Sequence, residues 1–149
     1  MVSALLIFLS APQPLPADLM ALQRALQDHG FEVRFVHPPV PKAYGLFRAS
    51  ERVLWVSPLS FALGIGRQTL LHEAVHAVQS CPAGVMQPIG WSIQLTPLLQ
   101  REISGILTTR YHHGNRQLEL EAFSLQGQAD AVPKLLQALR ERCGSDLQN

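Results

Sequence analysis

With 149 residues, 47% of them apolar, and a net charge of +1, the chain has the size and hydrophobicity of one small globular domain, not of a disordered segment. Its 12 Lys and Arg against 11 Asp and Glu create no basic field, and 7% aromatic residues leave few stacking platforms, so no nucleic-acid partner is expected. The most apolar run, Val2 to Leu9, is interrupted at Ser10 and Pro12, far short of the roughly 20 residues a membrane span needs, and no membrane partner is expected.

In chain order, Val2–Leu9 (VSALLIFL) reads as a strand. A secretory leader carries basic residues ahead of its apolar core, whereas the first basic residue here is Arg24, so the protein is expected to be cytoplasmic. A proline-rich connection, Ala11–Pro16, leads to a helix over Ala17–His29, with Leu19, Leu22, Ala25 and Leu26 at helical steps and Gly30 as its stop. Phe31–Val36 alternates as a strand, which completes a βαβ unit with parallel strands and a right-handed crossover. Past the break at His37–Pro41, Tyr44–Ala49 and Arg52–Val56 form a hairpin turning at Ser50-Glu51. Pro58–Gly66 reads as a loop.

The segment Thr69–Gln79 reads as a helix, ended by Cys81-Pro82-Ala83-Gly84, and Gln87–Trp91 is irregular. Pro97–Tyr111 has Leu98, Leu99, Ile103, Ile106 and Leu107 at helical steps. Asn115–Ala129 follows with Leu118, Ala122, Leu125 and Ala129 on one face, and Pro133–Arg142 closes the chain as a last helix. The expected fold is α+β: a single domain over residues 1–149, its mixed sheet built from the βαβ unit and the hairpin, followed by the Thr69–Gln79 helix and C-terminal helices. His29 and His37 fall at turns and read as surface residues, Trp55 and Trp91 as core or cleft wall. Cys81 and Cys143 read as buried free thiols, because a chain in a reducing compartment keeps them so.

Function concentrates in His72-Glu73-Ala74-Val75-His76. Four residues at 3.6 per turn bring both imidazoles onto one helical face, where two nitrogens can reach one ion. Thr69, Glu73, Gln79 and Ser80 share that face, while Leu70, Leu71, Ala74, Val75, Ala77 and Val78 fill the opposite arc. A polar stripe without Lys or Arg suits a lined cavity better than an open surface. Neutral imidazoles are good ligands for Zn2+, whose catalytic sites keep a position for water. Glu73, next to the ligand pair, is then the candidate general base for that water.

With Thr69 three residues before the first histidine, uncharged residues at 74, 75 and 77, and apolar Val78, the segment resembles the zincin metallopeptidases. That resemblance implies a zinc-dependent hydrolase acting on a peptide or protein substrate, and a sheet-edge strand beside the cleft that pairs with extended substrate; an ordinary edge is the plain alternative. It also implies a third ligand from a later helix. Glu119 with Ala122 matches the E-x-x-A spacing of gluzincin-like sites, which makes Glu119 the first choice and Glu121 the alternate. The acid or amide that such families carry four residues after the ligand is absent, since Phe123 and Leu125 stand there. Tyr111, His112 and His113 are candidates either for stabilising an oxyanion or for capping a helix C-terminus. The competing functional reading is a non-catalytic zincin-like metal-binding or regulatory protein.

Overall fold

The computed structural model of the chain describes residues 13–102 and 116–144. Helix α1, Ala17–Asp28, buries Leu19, Leu22 and Leu26, the side that three- and four-residue steps produce. Gly30 stops it at φ 82°, where only glycine is free of strain. There the Phe31 N–H donates to Leu26 O (3.0 Å) and the Gly30 N–H to Gln27 O (2.9 Å), the paired bonds of a Schellman end.

Strands β1 (Glu32–Arg34), β2 (Gly45–Arg48) and β3 (Val53–Val56) form a mixed sheet in the order β1-β3-β2. The central β3 is buried along its whole length, as an uninterrupted VLWV run requires. It pairs parallel with β1, Val33 against Leu54, and antiparallel with β2, Gly45 against Val56 and Arg48 against Val53. The hairpin is therefore as expected from the sequence. The strand expected at Val2–Leu9 lies outside the described residues.

Residues expected to be a loop after β3 instead begin with a short helix, α2 (Pro58–Ala62). Ser57 accepts the Leu59 N–H at 3.2 Å and Pro58 stands at the first helical position, two start signals that outweigh the glycines further on. Helix α3, Gly66–Gln79, follows at the centre of the molecule. Its Leu70, Leu71, Ala74, Val75, Ala77 and Val78 join the core shared with Leu54 and Val56 of the sheet.

Residues 97–102 are helical, as expected, and the rest of the helix expected to Tyr111 lies outside the described residues. Helix α4 spans Arg116–Gln126 and covers the polar arc of α3; α5 spans Ala131–Cys143. Pro133 thus sits inside the first turn of α5, where its missing N–H has no intrahelical partner to lose. Leu135 and Leu139 of α5 close the core over Leu19 and Leu22. The fold is α+β, and among the described residues no helix is long and apolar enough to cross a membrane.

The expectation of free thiols is corrected: Cys81 and Cys143 form a disulfide, their Cα atoms 5.1 Å apart. Sequence separation hid the pair. The ends of α3 and α5 are brought side by side by the core between them, and Arg142 fastens the same corner by donating to the carbonyls of Cys81 (3.1 Å) and Pro88 (3.0 Å).

Candidate metal centre

The four-residue spacing along α3 places the rings of His72 and His76 edge to face, their centroids 4.8 Å apart, with the two Nε2 atoms 3.1 Å from each other. Glu119 arrives from α4 between them. One carboxylate oxygen lies 3.0 Å from His72 Nε2 and the other 3.2 Å from His76 Nε2. All three side chains are nearly buried, between 10% and 12% exposed.

The opposite ring nitrogens decide which way the Nε2 atoms act. His76 Nδ1 lies 2.7 Å from Gln79 Oε1, while Gln79 Nε2 donates to the Leu118 carbonyl at 3.0 Å and to Glu121 at 2.9 Å. Both of those partners are acceptors, which fixes the amide orientation, so the Gln79 oxygen faces Nδ1 and Nδ1 must carry a hydrogen. His72 Nδ1 lies 2.9 Å from Gln126 Oε1 and donates to it when the ring is in the same tautomer. On neutral rings both Nε2 atoms then present lone pairs to each other and to a carboxylate. Three acceptors converging in a buried space need a cation between them, and this group could hold a metal ion.

The protein groups alone meet that need with protons. Burial disfavours charge on His76, yet the hydrogen bond it donates to Glu119, the charges of Glu73 and Glu119, and the Gln79 bond outweigh it and raise its pKa to about 9. Glu119 is pushed up by burial, but its bonds to His72 and His76 and their charges hold it well below the usual carboxylate range. Burial raises Glu73, tempered by His72 and His76 and reinforced by Glu119.

Glu73 is 8% exposed and lies against the edge strand β2. A Cβ on Gly45 would stand 2.6 Å from Glu73 Oε1 and 2.7 Å from Thr69 Cγ2, so the strand can approach the carboxylate only through a residue without a side chain. Among the described residues β2 is at an edge of the sheet, and this edge lies beside Glu73.

The structure brings together His72, Glu73, His76 and Glu119. Glu121, the alternate third ligand, is not in this group: its carboxylate accepts from the backbone N–H groups of Ile89, Gly90 and Trp91. Tyr111, His112 and His113 lie outside the described residues. Gln79, Gln126, Phe123 and Gly45 were given no role by sequence reasoning. Gln79 alone carried a signal, being on the histidine face three residues after His76. Phe123, where an acid or amide was expected, packs its ring edge-on against His72 with centroids 4.6 Å apart. Comparison with protein-family models, with curated proteins and with solved structures finds no match for this chain.

Proposed function

We propose that the chain is a zinc-dependent hydrolase, a metallopeptidase of the zincin kind, with His72, His76 and Glu119 as ligands and Glu73 as general base. The observation carrying this reading is the spacing of the three inward groups. Tetrahedral zinc with bonds of about 2.0–2.1 Å needs ligand atoms roughly 3.3 Å apart; the two nitrogens are 3.1 Å apart, each has a different Glu119 oxygen at 3.0 or 3.2 Å, and one ligand atom from each of the three residues lies within 4.8 Å of the others. Two imidazoles and one carboxylate suit zinc better than calcium or magnesium, which take oxygen donors.

Bound zinc would polarise a substrate carbonyl and make water acidic enough to be deprotonated near neutral pH. Glu73, its affinity for protons raised by burial, is suited to take that proton and hand it to a leaving amine. The β2 edge beside Glu73 supports an extended peptide as substrate, aligned by main-chain hydrogen bonds. The low exposure of the whole cluster favours a second reading, a closed structural metal site, although such a site has no use for Glu73.

Metal content and cleavage of a peptide library separate the two. Wild type and Glu73→Gln are expected to hold one zinc per chain and His72→Ala none, with cleavage only in wild type. Equal metal in wild type and His72→Ala would sink the site; full metal without cleavage would establish the structural reading. The disulfide fits an oxidising compartment better than the cytoplasm expected from the sequence, and alkylation of thiols in freshly lysed cells distinguishes them.

A further inference from the structure

Glu121 is 1% exposed, and its carboxylate has four donors. Oε1 accepts from Gln79 Nε2 at 2.9 Å and from the Ile89 N–H at 2.8 Å. Oε2 accepts from the N–H groups of Gly90 at 2.9 Å and Trp91 at 3.1 Å. Three successive amides can turn onto one carboxylate because Gly90 takes φ 99°, a conformation that suits glycine. Just before this stretch, Arg142 donates to Pro88 O at 3.0 Å.

We propose that Glu121 is a positioning residue for His76: through Gln79 it fixes the hydrogen on Nδ1, frees Nε2 for a cation, and ties that state to the backbone of residues 89–91. The reasoning is donor and acceptor counting. Gln79 can offer its oxygen to His76 only while its NH2 has acceptors behind it, and Glu121 with the Leu118 carbonyl supplies them. An amide at position 121 turns an NH2 either toward Gln79, which reverses the Gln79 amide, or toward Gly90 and Trp91, which releases the strap. Removing Gln79 leaves the ring to the Nε2–H form that free imidazole side chains prefer, with a hydrogen where a ligand lone pair is needed. The metal aspect rests on the zinc reading above, whereas the tautomer does not.

The test uses the full-length chain with its disulfide intact, comparing wild type, Glu121→Gln, Gln79→Leu and the double variant. Imidazole 15N spectra at about pH 10, where histidines are neutral, should show His76 protonated on Nδ1 in wild type, on Nε2 in Gln79→Leu, and shifted toward Nε2 in Glu121→Gln. Cobalt affinity by chelator competition should fall about 10- to 100-fold in each single variant, the scale usual for residues that orient a ligand, and the double variant should be no weaker than Gln79→Leu. Wild-type His76 carrying its hydrogen on Nε2, cobalt affinity within twofold of wild type for Glu121→Gln, or additive losses in the double variant would overturn the proposal. Cobalt ignored by folded wild type would count against the zinc reading alone, and the nitrogen spectra would then decide on Glu121. If Glu121→Gln does not fold, Gln79→Leu decides through the same spectra.

Discussion

Alanine at position 45 sets strand β2 against Glu73, the proposed base. The added Cβ would fall 2.6 Å from Glu73 Oε1, 2.7 Å from Thr69 Cγ2 and 2.9 Å from Glu73 Cγ, where non-bonded heavy atoms prefer about 3.5–4.0 Å. The shortfall is therefore close to 1 Å against two side chains at once. Neither yields freely. Strand β2 is locked by its pairing of Gly45 with Val56, and the Thr69 methyl is held because its hydroxyl donates to Ile65 O at 2.8 Å. Overpacking of this kind costs about 1–3 kcal/mol, which in a chain of this length lowers the melting temperature by roughly 2–12 °C. If the Glu73 carboxylate moves instead, a displacement near 1 Å reduces turnover about 100-fold. The three nearest neighbours of the new atom include no candidate ligand, so zinc content should not change. Thermal melts, metal analysis and peptide cleavage on Gly45→Ala read each of these terms, and Thr69→Ser in the same chain, which deletes Cγ2, should recover part of the stability. Gly45→Ala as stable and active as wild type, or indifferent to Thr69→Ser, would refute the close approach of β2 to Glu73.

Glu119→Gln replaces the proposed anionic ligand with a neutral amide and, on the zinc reading, should weaken zinc binding at least tenfold in a chelator competition, while Glu73→Gln leaves it within a few-fold of wild type. For the metal-free chain, His76 is raised from 6.5 to about 9, so its contribution is complete below pH 6.5 and is lost as pH rises through 9. Glu119 is lowered from 4.5, and its contribution is present above that pH and lost in acid. Urea midpoints of metal-free protein should therefore be highest between about pH 4.5 and 6.5 and fall toward pH 9. Zinc must displace the His76 proton, so its affinity should climb with pH over the same upper range. Cys143→Ser opens a link across 62 residues, and the loop-closure relation sets the loss at about 4 kcal/mol, measurable as a lower urea midpoint.

The sequence was readable where one residue's fate depended on near neighbours. Helix α3 and the face that carries His72, Glu73 and His76 follow from four-residue spacing. The hairpin follows from two apolar runs around a short turn. Glu119 was preferred over Glu121 by an E-x-x-A spacing, and the structure sets its carboxylate between the histidines. What could not be read depends on distant segments meeting. Glu121 is occupied by amides about 30 residues earlier in the chain, and nothing near it in sequence announces that strap. Gln79 lay visibly on the polar face, yet its task exists only because α4 supplies acceptors behind it. Gly45 read as an ordinary strand residue, since its lack of a side chain matters only against Glu73. Cys81 and Cys143 are 62 positions apart, and only the packing of two helix ends joins them. The start of the expected loop before α3 is helical for a local reason: Ser57 caps and Pro58 opens α2.

The Cys81–Cys143 bond makes residues 81–143 a covalent ring, with α1, the sheet and α3 extending from it as a tail. The two histidines lie on the tail and Glu119 on the ring. A protease cutting near Leu98 and Leu99, which are 65% and 42% exposed, would open the ring yet leave α4 and α5 attached to α3 through sulfur. The nicked protein would then be two chains that still bring His72, His76 and Glu119 together, separating on a gel only after reduction.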